Sequence, residues 1–381
     1  MPVGDIGDVL HTYTFDATKG IYPAPFHIAG DLCAVAYAGP DDYGKAKSFN
    51  VSGAGQVTEP ADNSLVFYEA ATMHHRGPLR LDNVICTTFI IGGNVGKLEG
   101  IIVNEDGTLS QHANHLCPLL NSVTEWHQAL LRPDGIVVCA HNHSAGYIFV
   151  STALVGSDGQ VGASPIENYQ HTAYLSSYPS ICHHKDDLFV VTNTDASQYL
   201  RARAVNVSAA GDVSASGASE VTITDYITSQ HHTIKLGENT FVTVHRGTGG
   251  NGFVVVYTMD DAGNITVPTN YSYEFNTDAC DTPFAIVLSE NIFAIVYTTA
   301  DNEGGIKTIQ VDVDGAAVWT PKASHVFTGE RMLWPQIVHR GGYVSVIAYQ
   351  DDLNVGKLKT IELQTSEIVS GHTELCMGIG P

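Results

Sequence analysis

Basic residues are scarce in this sequence. Eighteen Lys and Arg stand against 40 Asp and Glu, a formal charge of −22. That field repels nucleic acid and anionic lipid headgroups, so neither is expected as a partner without a local basic patch. Long apolar runs are also missing. No stretch approaches the roughly 18 residues a membrane-spanning helix needs, so insertion into a bilayer is not expected. The opening Met1-Pro2-Val3-Gly4-Asp5-Ile6 has neither the basic nor the apolar region of a secretory signal. The compartment stays open between cytoplasm, virus particle and an export route not written in the chain. Cys-x-x-Cys pairs are absent among the seven cysteines, most of which sit inside apolar runs. Buried free thiols are therefore expected rather than a disulfide framework. P-loop, dinucleotide-binding and EF-hand patterns do not occur, and no cofactor is expected.

What the chain has in quantity is glycine, 37 residues, and a repeat. Phrases such as Asp31-Leu-Cys-Ala-Val-Ala-Tyr37 recur. Their last residues are Tyr37, Phe89, His141, Asn193, His245, Tyr297 and Tyr349, each 52 positions after the one before. A second column, Gly55, Gly107, Gly159, Gly211, Gly263 and Gly315, keeps the same period and is broken by Glu367. Within a unit the pattern has period two. A nearly all-apolar run reads as a strand buried on both faces, and glycines after Asp mark tight turns. Each unit has room for four short strands and none for a helix. Seven such units predict an all-β chain, a seven-bladed β-propeller with four antiparallel strands per blade and a 52-residue repeat.

The whole chain, 1–381, then forms one domain. Its blades fall at about 22–74, 75–126, 127–178, 179–230, 231–282, 283–334 and 335–381. Residues 1–17 and 365–381 are in the same phase of the repeat. The segment 9–16 is expected to close the ring against residues 335–370, and the tail 374–379 competes for that slot. A strand left over could pair with a second copy or serve assembly of a virus particle.

In a propeller the crossing from one blade to the next shares a face with the loop after the second strand, at the mouth of the central channel. The crossing column reads Pro23, His75, His127, Pro179, His231, Pro283 and Pro335. Before it stand Tyr22, His74, Trp126, Tyr178, Gln230, Thr282 and Trp334; after it stand Ala24, Arg76, Gln128, Ser180, His232, Phe284 and Gln336. Histidine, arginine and asparagine gather in the second to fifth blades, where His141, Asn193 and His245 replace aromatics and His143 and Arg246 lie close by in sequence. The ligand-binding candidates are therefore His74, His75, Arg76, Trp126, His127, His141, His143, Tyr178, Asn193, His231, His232, His245 and Arg246. Tyr22 and Trp334 add flat faces for a sugar ring. The plain alternative is that these histidines are hydrogen-bonding spacers between sheets, and the prolines at equivalent positions speak for a backbone role. No metal centre is expected, because Asp and Glu are missing from the columns that would supply second partners. Were a divalent ion to bind, His75, His127 and His231 are the side chains on offer.

Two functions follow. The first is recognition of a glycan or a protein receptor at one site, on a virion or cell surface, without catalysis. The second comes from a resemblance. The pairing of His127 and His141 in one blade with His231, His245 and Arg246 two blades on resembles the propeller-fold polysaccharide lyases, such as ulvan lyases. That resemblance implies a His base removing the proton α to a uronate carboxylate, with Arg or His neutralising the developing charge. On that reading His127, His141, His245 and Arg246 are catalytic.

Overall fold

The computed structural model describes residues 2–60, 63–91, 95–123, 127–143, 145–216 and 219–365. The chain is all-β, and its helical segments among these residues are two 3-10 turns, Pro40–Asp42 and Thr248–Gly250. No described helix is long and apolar enough to cross a membrane.

Leu32–Ala38 is buried along its whole length, as a strand sandwiched between two sheets must be. Tyr43–Val51, one strand further out, alternates between buried and half-buried positions. Together with Ile21–Ala29 and the first part of Ser64–Leu81 they make one four-stranded antiparallel sheet, blade 1. The long strand does not stop there. Up to Ala71 it pairs with blade 1, and from Thr72 it pairs with Val84–Ile91 as the innermost strand of blade 2. Ser272–Ser289 links blades 5 and 6 in the same way. Among the described residues the pairings sort into seven such four-stranded sets, the fourth strand of blade 4 being in two short pieces. Their innermost strands pack against one another in sequence order, and the seventh, Leu333–Gly341, packs on the first, Ile21–Ala29. The ring is closed.

Closure has a second element. Ile6–Asp16 is the outermost strand of blade 7, antiparallel to Gly356–Leu363. The apolar core runs through the junction without a break: Val35 and Phe49 of blade 1, Val346 and Tyr349 of blade 7, and Ile286 and Val296 of blade 6 belong to one cluster. Residues 374–379 lie outside the described part of the chain.

The glycine column turns out to have a role between blades as well as in the turn. Gly107 has φ 85°, and a Cβ there would come within 2.6 Å of Pro60 and 3.4 Å of Ser48, both in blade 1. Its carbonyl accepts a hydrogen bond from Ser48 Oγ. The carbonyls of Gly211 and Gly55 are held the same way by Thr152 and Thr360, each at 2.6 Å. Gly4, with φ 91°, takes this place for blade 7, where the repeat would have put residue 367. Its carbonyl accepts from the Thr308 hydroxyl, and its N–H donates to the Gln364 carbonyl at 2.9 Å.

Candidate functional site

Thr72 Oγ1 donates to the Asp42 carbonyl at 3.0 Å, joining the crossing into blade 2 to the loop after the second strand of blade 1. Arg246 and Asp281 do the same for blades 5 and 6, at 2.6 Å. Crossings and second-strand loops therefore share one face, and the inner strands that start there surround the channel.

At five of the crossings, among the described residues, the register slips and the backbone turns left-handed. Tyr22, Tyr178, Gln230, Thr282 and Trp334 have φ of 52°, 50°, 46°, 47° and 54°. The slips lie at the same points, for example between Ser177 and Ser180, or between Asp281 and Phe284. Left-handed backbone costs a residue with a Cβ about 1–2 kcal/mol, and a β-branched residue such as Thr282 is a clear outlier there. Glycine would adopt the same shape freely, yet none of the five is glycine. All five are half-buried. Neighbours in this ring touch: Trp334 meets Tyr22 edge-on at 5.2 Å, and Gln230 Oε1 accepts from the Thr282 N–H at 3.2 Å. Between the two contacts lies a small pocket walled by Tyr22, His75, Thr282, Phe284, Trp334 and Gln336, with Pro335 at its edge.

A second circuit lies one residue deeper. Ser180 Oγ donates to Gln128 Oε1 and accepts from the Thr233 N–H at 3.0 Å. His232 stacks on Phe284 at 4.0 Å, and its Nδ1 accepts from the Ala285 N–H at 3.3 Å. Gln336 of blade 7 passes the small Ala24 of blade 1 and donates to the His75 carbonyl in blade 2, at 3.5 Å. His232 is thus a spacer between blades 5 and 6. His75, 1% exposed, is packed between Phe67 and Phe89, with Nε2 at 3.1 Å from Thr72 Oγ1.

The other candidates are placed more deeply than a ligand site requires. His141 is 1% exposed. Its Nε2 lies 2.7 Å from Ser151 Oγ, which donates to Asn168 Oδ1 at 2.6 Å, and its ring stacks on Phe149. His127 faces it in the antiparallel register and is buried. Asn193 is fully buried beside the Tyr174 phenol, which donates to Glu220 Oε1 at 2.5 Å. His245 is fully buried, 3.4 Å from the Tyr226 hydroxyl, which in turn lies 2.7 Å from Ser272 Oγ. These form three successive buried polar chains, one per blade, where the remaining blades place Tyr37, Phe89, Tyr297 and Tyr349. Burial pushes His141 and His245 down to about 3 and His231 to about 4, the last offset in part by the Thr192 backbone. All three are neutral at physiological pH. Arg246 is at the surface, paired with Asp281. His143 is half-buried against Phe149, and its Nδ1 accepts from the Ala145 N–H at 3.1 Å. Trp126 lies outside the described residues, as do the side chains of His74 and Arg76. Among the described residues no three His, Cys, Asp or Glu side chains are grouped to hold a metal ion, so His75, His127 and His231 are not brought together as ligands. Six cysteines, Cys33, Cys86, Cys117, Cys139, Cys182 and Cys280, are buried free thiols, and Cys376 lies outside the described part.

Thr282, Gln230, Phe284 and Gln336 were legible as columns but not as a site. The signal available was the persistence of side chains before the crossing column, at positions where glycine would be the easy choice.

The sequence matches no protein-family model and no curated protein. Solved structures do resemble it. A periplasmic gluconolactonase of Pseudomonas aeruginosa is 14% identical with a TM-score of 0.63, over 90% of this chain and 97% of its own. An ulvan lyase is 10% identical with a TM-score of 0.59, over 99% of this chain and 100% of its own. BBS1N, solved in complex with ARL6DN, is also 10% identical, with a TM-score of 0.53. At such identities the likeness is one of fold, and the fold is a β-propeller.

Proposed function

We propose that this chain is a recognition module that binds a glycan at the mouth of its channel, with the left-handed ring as the contact surface. The observation that carries the reading is the strained backbone at Tyr22, Tyr178, Gln230, Thr282 and Trp334. Strain retained where glycine would relieve it points to side chains needed in place. Two tyrosines and a tryptophan among the five supply the flat apolar faces that stack on pyranose rings. His75 and Gln336 lie against the same pocket. The buried histidine chains of blades 3 to 5 stiffen the wall beneath the ring and do not themselves reach a ligand. The likeness to a gluconolactonase and an ulvan lyase supports a carbohydrate as the ligand class, as an analogy of fold.

The lyase reading has a narrower footing. It needs a base within reach of solvent at neutral pH. Tyr226, half-buried beside His245, is the phenol placed nearest to that task in the polar sector, but burial pushes it up to about 12.

A glycan array probed with the parent chain and with Trp334→Ala tests the proposal, with an ultraviolet assay for unsaturated uronate products run alongside. Binding that weakens about tenfold or more in the variant, with no product absorbance, is the expected result. Equal binding by both proteins would remove the ring from the site, and product formation would favour the lyase.

A further inference from the structure

The pocket at the channel mouth has hydrogen-bonding capacity that the chain itself does not use. Gln336, on the innermost strand of blade 7, is 4% exposed and lines it. Its Nε2 donates to the His75 carbonyl at 3.5 Å. A carbonyl only accepts, so this bond sets the amide nitrogen towards blade 2 and turns Oε1 the other way. Oε1 is buried with no hydrogen-bond partner among the described residues. Thr282, in the crossing from blade 5 to blade 6, carries a second such atom, its buried Oγ1. Buried polar atoms in a folded chain are nearly always paired. Two orphans on the wall of one pocket point to a group that enters it.

The space is about 10 Å³, room for one water-sized group and not for a sugar ring. Its walls fix the character of that group. Tyr22, Phe284, Trp334 and Pro335 are aromatic or apolar, and no Asp, Glu, Lys or Arg lines it. Lys19 and Arg246, cations on the same face, are already paired with Asp42 and Asp281. A carboxylate placed here would lose its water, meet the Gln336 oxygen and find no cation. An ammonium would meet an acceptor but no carboxylate to balance its charge. A neutral hydroxyl suits both orphans, because it donates to one and accepts from the other.

We propose that the pocket receives the primary hydroxyl of a neutral hexose unit and so selects neutral hexoses over uronates. This rests on the glycan reading of the mouth and narrows it. The C6 hydroxyl stands one carbon beyond the pyranose ring, so it enters while the ring stays outside against Trp334 and Tyr22. Its proton goes to Gln336 Oε1, and its oxygen accepts from Thr282 Oγ1. The walls that take this hydroxyl exclude the C6 carboxylate of a uronate. A uronate lyase needs the opposite selection.

Ligand-observed NMR and calorimetry on the full chain test this. The probes are methyl glucoside, methyl galactoside and methyl mannoside, each also in its 6-deoxy and 6-carboxylate forms. At least one neutral hexoside should bind about tenfold or more tighter than both of its altered forms. Thr282→Val keeps the branched side chain and removes the hydroxyl; Gln336→Met removes Oε1 at similar length. An unchanged melting temperature verifies that each variant folds. In both, the neutral hexoside should weaken to the level of its 6-deoxy form, whose own affinity should not move. A side chain with only a structural role would shift the two sugars alike. A preference that persists in both variants, or a 6-carboxylate sugar that binds as tightly as the hexoside, would overturn the assignment. Trp334→Ala keeps this failure apart from failure of the glycan reading. Sugars that lose affinity in Trp334→Ala, with no preference at C6 in the parent, would leave the mouth a glycan site and remove the pocket's role. No binding of any probe to the parent would remove both.

Discussion

If the ring residues are kept for contact, then removing one should make the protein more stable as it becomes a poorer binder. Thr282 is the sharpest place to ask. It is β-branched with φ 47°, and its hydroxyl is buried with no hydrogen-bond partner among the described residues. The left-handed backbone costs about 1–2 kcal/mol and the orphaned hydroxyl about 1–3 kcal/mol. Against these, Thr282→Gly gives up about 0.5–1 kcal/mol in the freedom of the unfolded chain and about 0.8 kcal/mol for each buried methyl. The balance is a stabilisation of about 1 kcal/mol, since partial relaxation takes up some of the relief. Thr282→Ala separates the contributions, because it removes the hydroxyl and keeps the Cβ. Guanidinium unfolding followed by tryptophan fluorescence should rank the proteins Gly above Ala above Thr. Glycan binding should fall in both variants. A glycine variant less stable than the parent would refute the reasoning, for the Thr282 side chain would then hold the crossing together and its strain would carry no functional meaning.

Two further predictions concern buried titrating groups. His245, held down to about 3 by burial, takes up a proton far more readily when unfolded. Its penalty is absent above the ordinary histidine value and grows as pH falls from about 6.5 towards 3, reaching about 3 kcal/mol near pH 4. His245→Phe, which installs the Phe89 type of residue, should therefore fold and lose less stability between neutral and acid pH in denaturant titrations; an unchanged acid profile would count against it. Glu99 has the opposite sign. Fully buried, with Oε1 taking a hydrogen bond from Gln111 at 2.7 Å and touching His115, it is pushed up to about 9 by burial. Its unfolded form ionises first, so stability is full below about pH 4.5 and is lost as pH rises towards 9, by up to about 4 kcal/mol between pH 5 and 8. Glu99→Gln should flatten that slope, and a slope equal to the parent's would exclude Glu99 as its source.

The period of 52 was legible because each blade faces the same two neighbours and so needs the same apolar face at the same place. Tyr37, Phe89, Tyr297 and Tyr349 repeat for that reason, and so do the turn glycines. The departures were legible as departures, but their direction was not. A histidine that replaces a core aromatic has two outlets, into the channel or into a hydrogen-bond chain within the sheet. Which one it takes depends on Ser151 and Asn168, or on Tyr226 and Ser272, which are 10 to 27 residues away in sequence. His141 and His245 both took the second. Backbone strain leaves no mark in composition, so the ring at the mouth could be seen only once φ was known.

The same logic bears on where a site can lie. A repeat can carry function only where its positions are free of the packing that enforces the repeat. The third-strand position before the inter-blade hydroxyl shows how narrow that freedom is. Lys47, Arg203 and Lys307 each reach a carbonyl of the preceding blade's outer strand, those of Phe15, His171 and Phe275. Blade 2 places Glu99 there instead and hands the carbonyl of Phe67 to Gln111. The stitch is kept in all four cases, whichever side chain makes it. Lys307 therefore arrives at the blade 5–6 seam for structural reasons. At the mouth the order is reversed, since the crossing already needs a left-handed residue and the side chain is what remains to be chosen. Function in this ring is thus to be sought where a column's backbone requirement is met at a cost that the cheapest residue would have avoided.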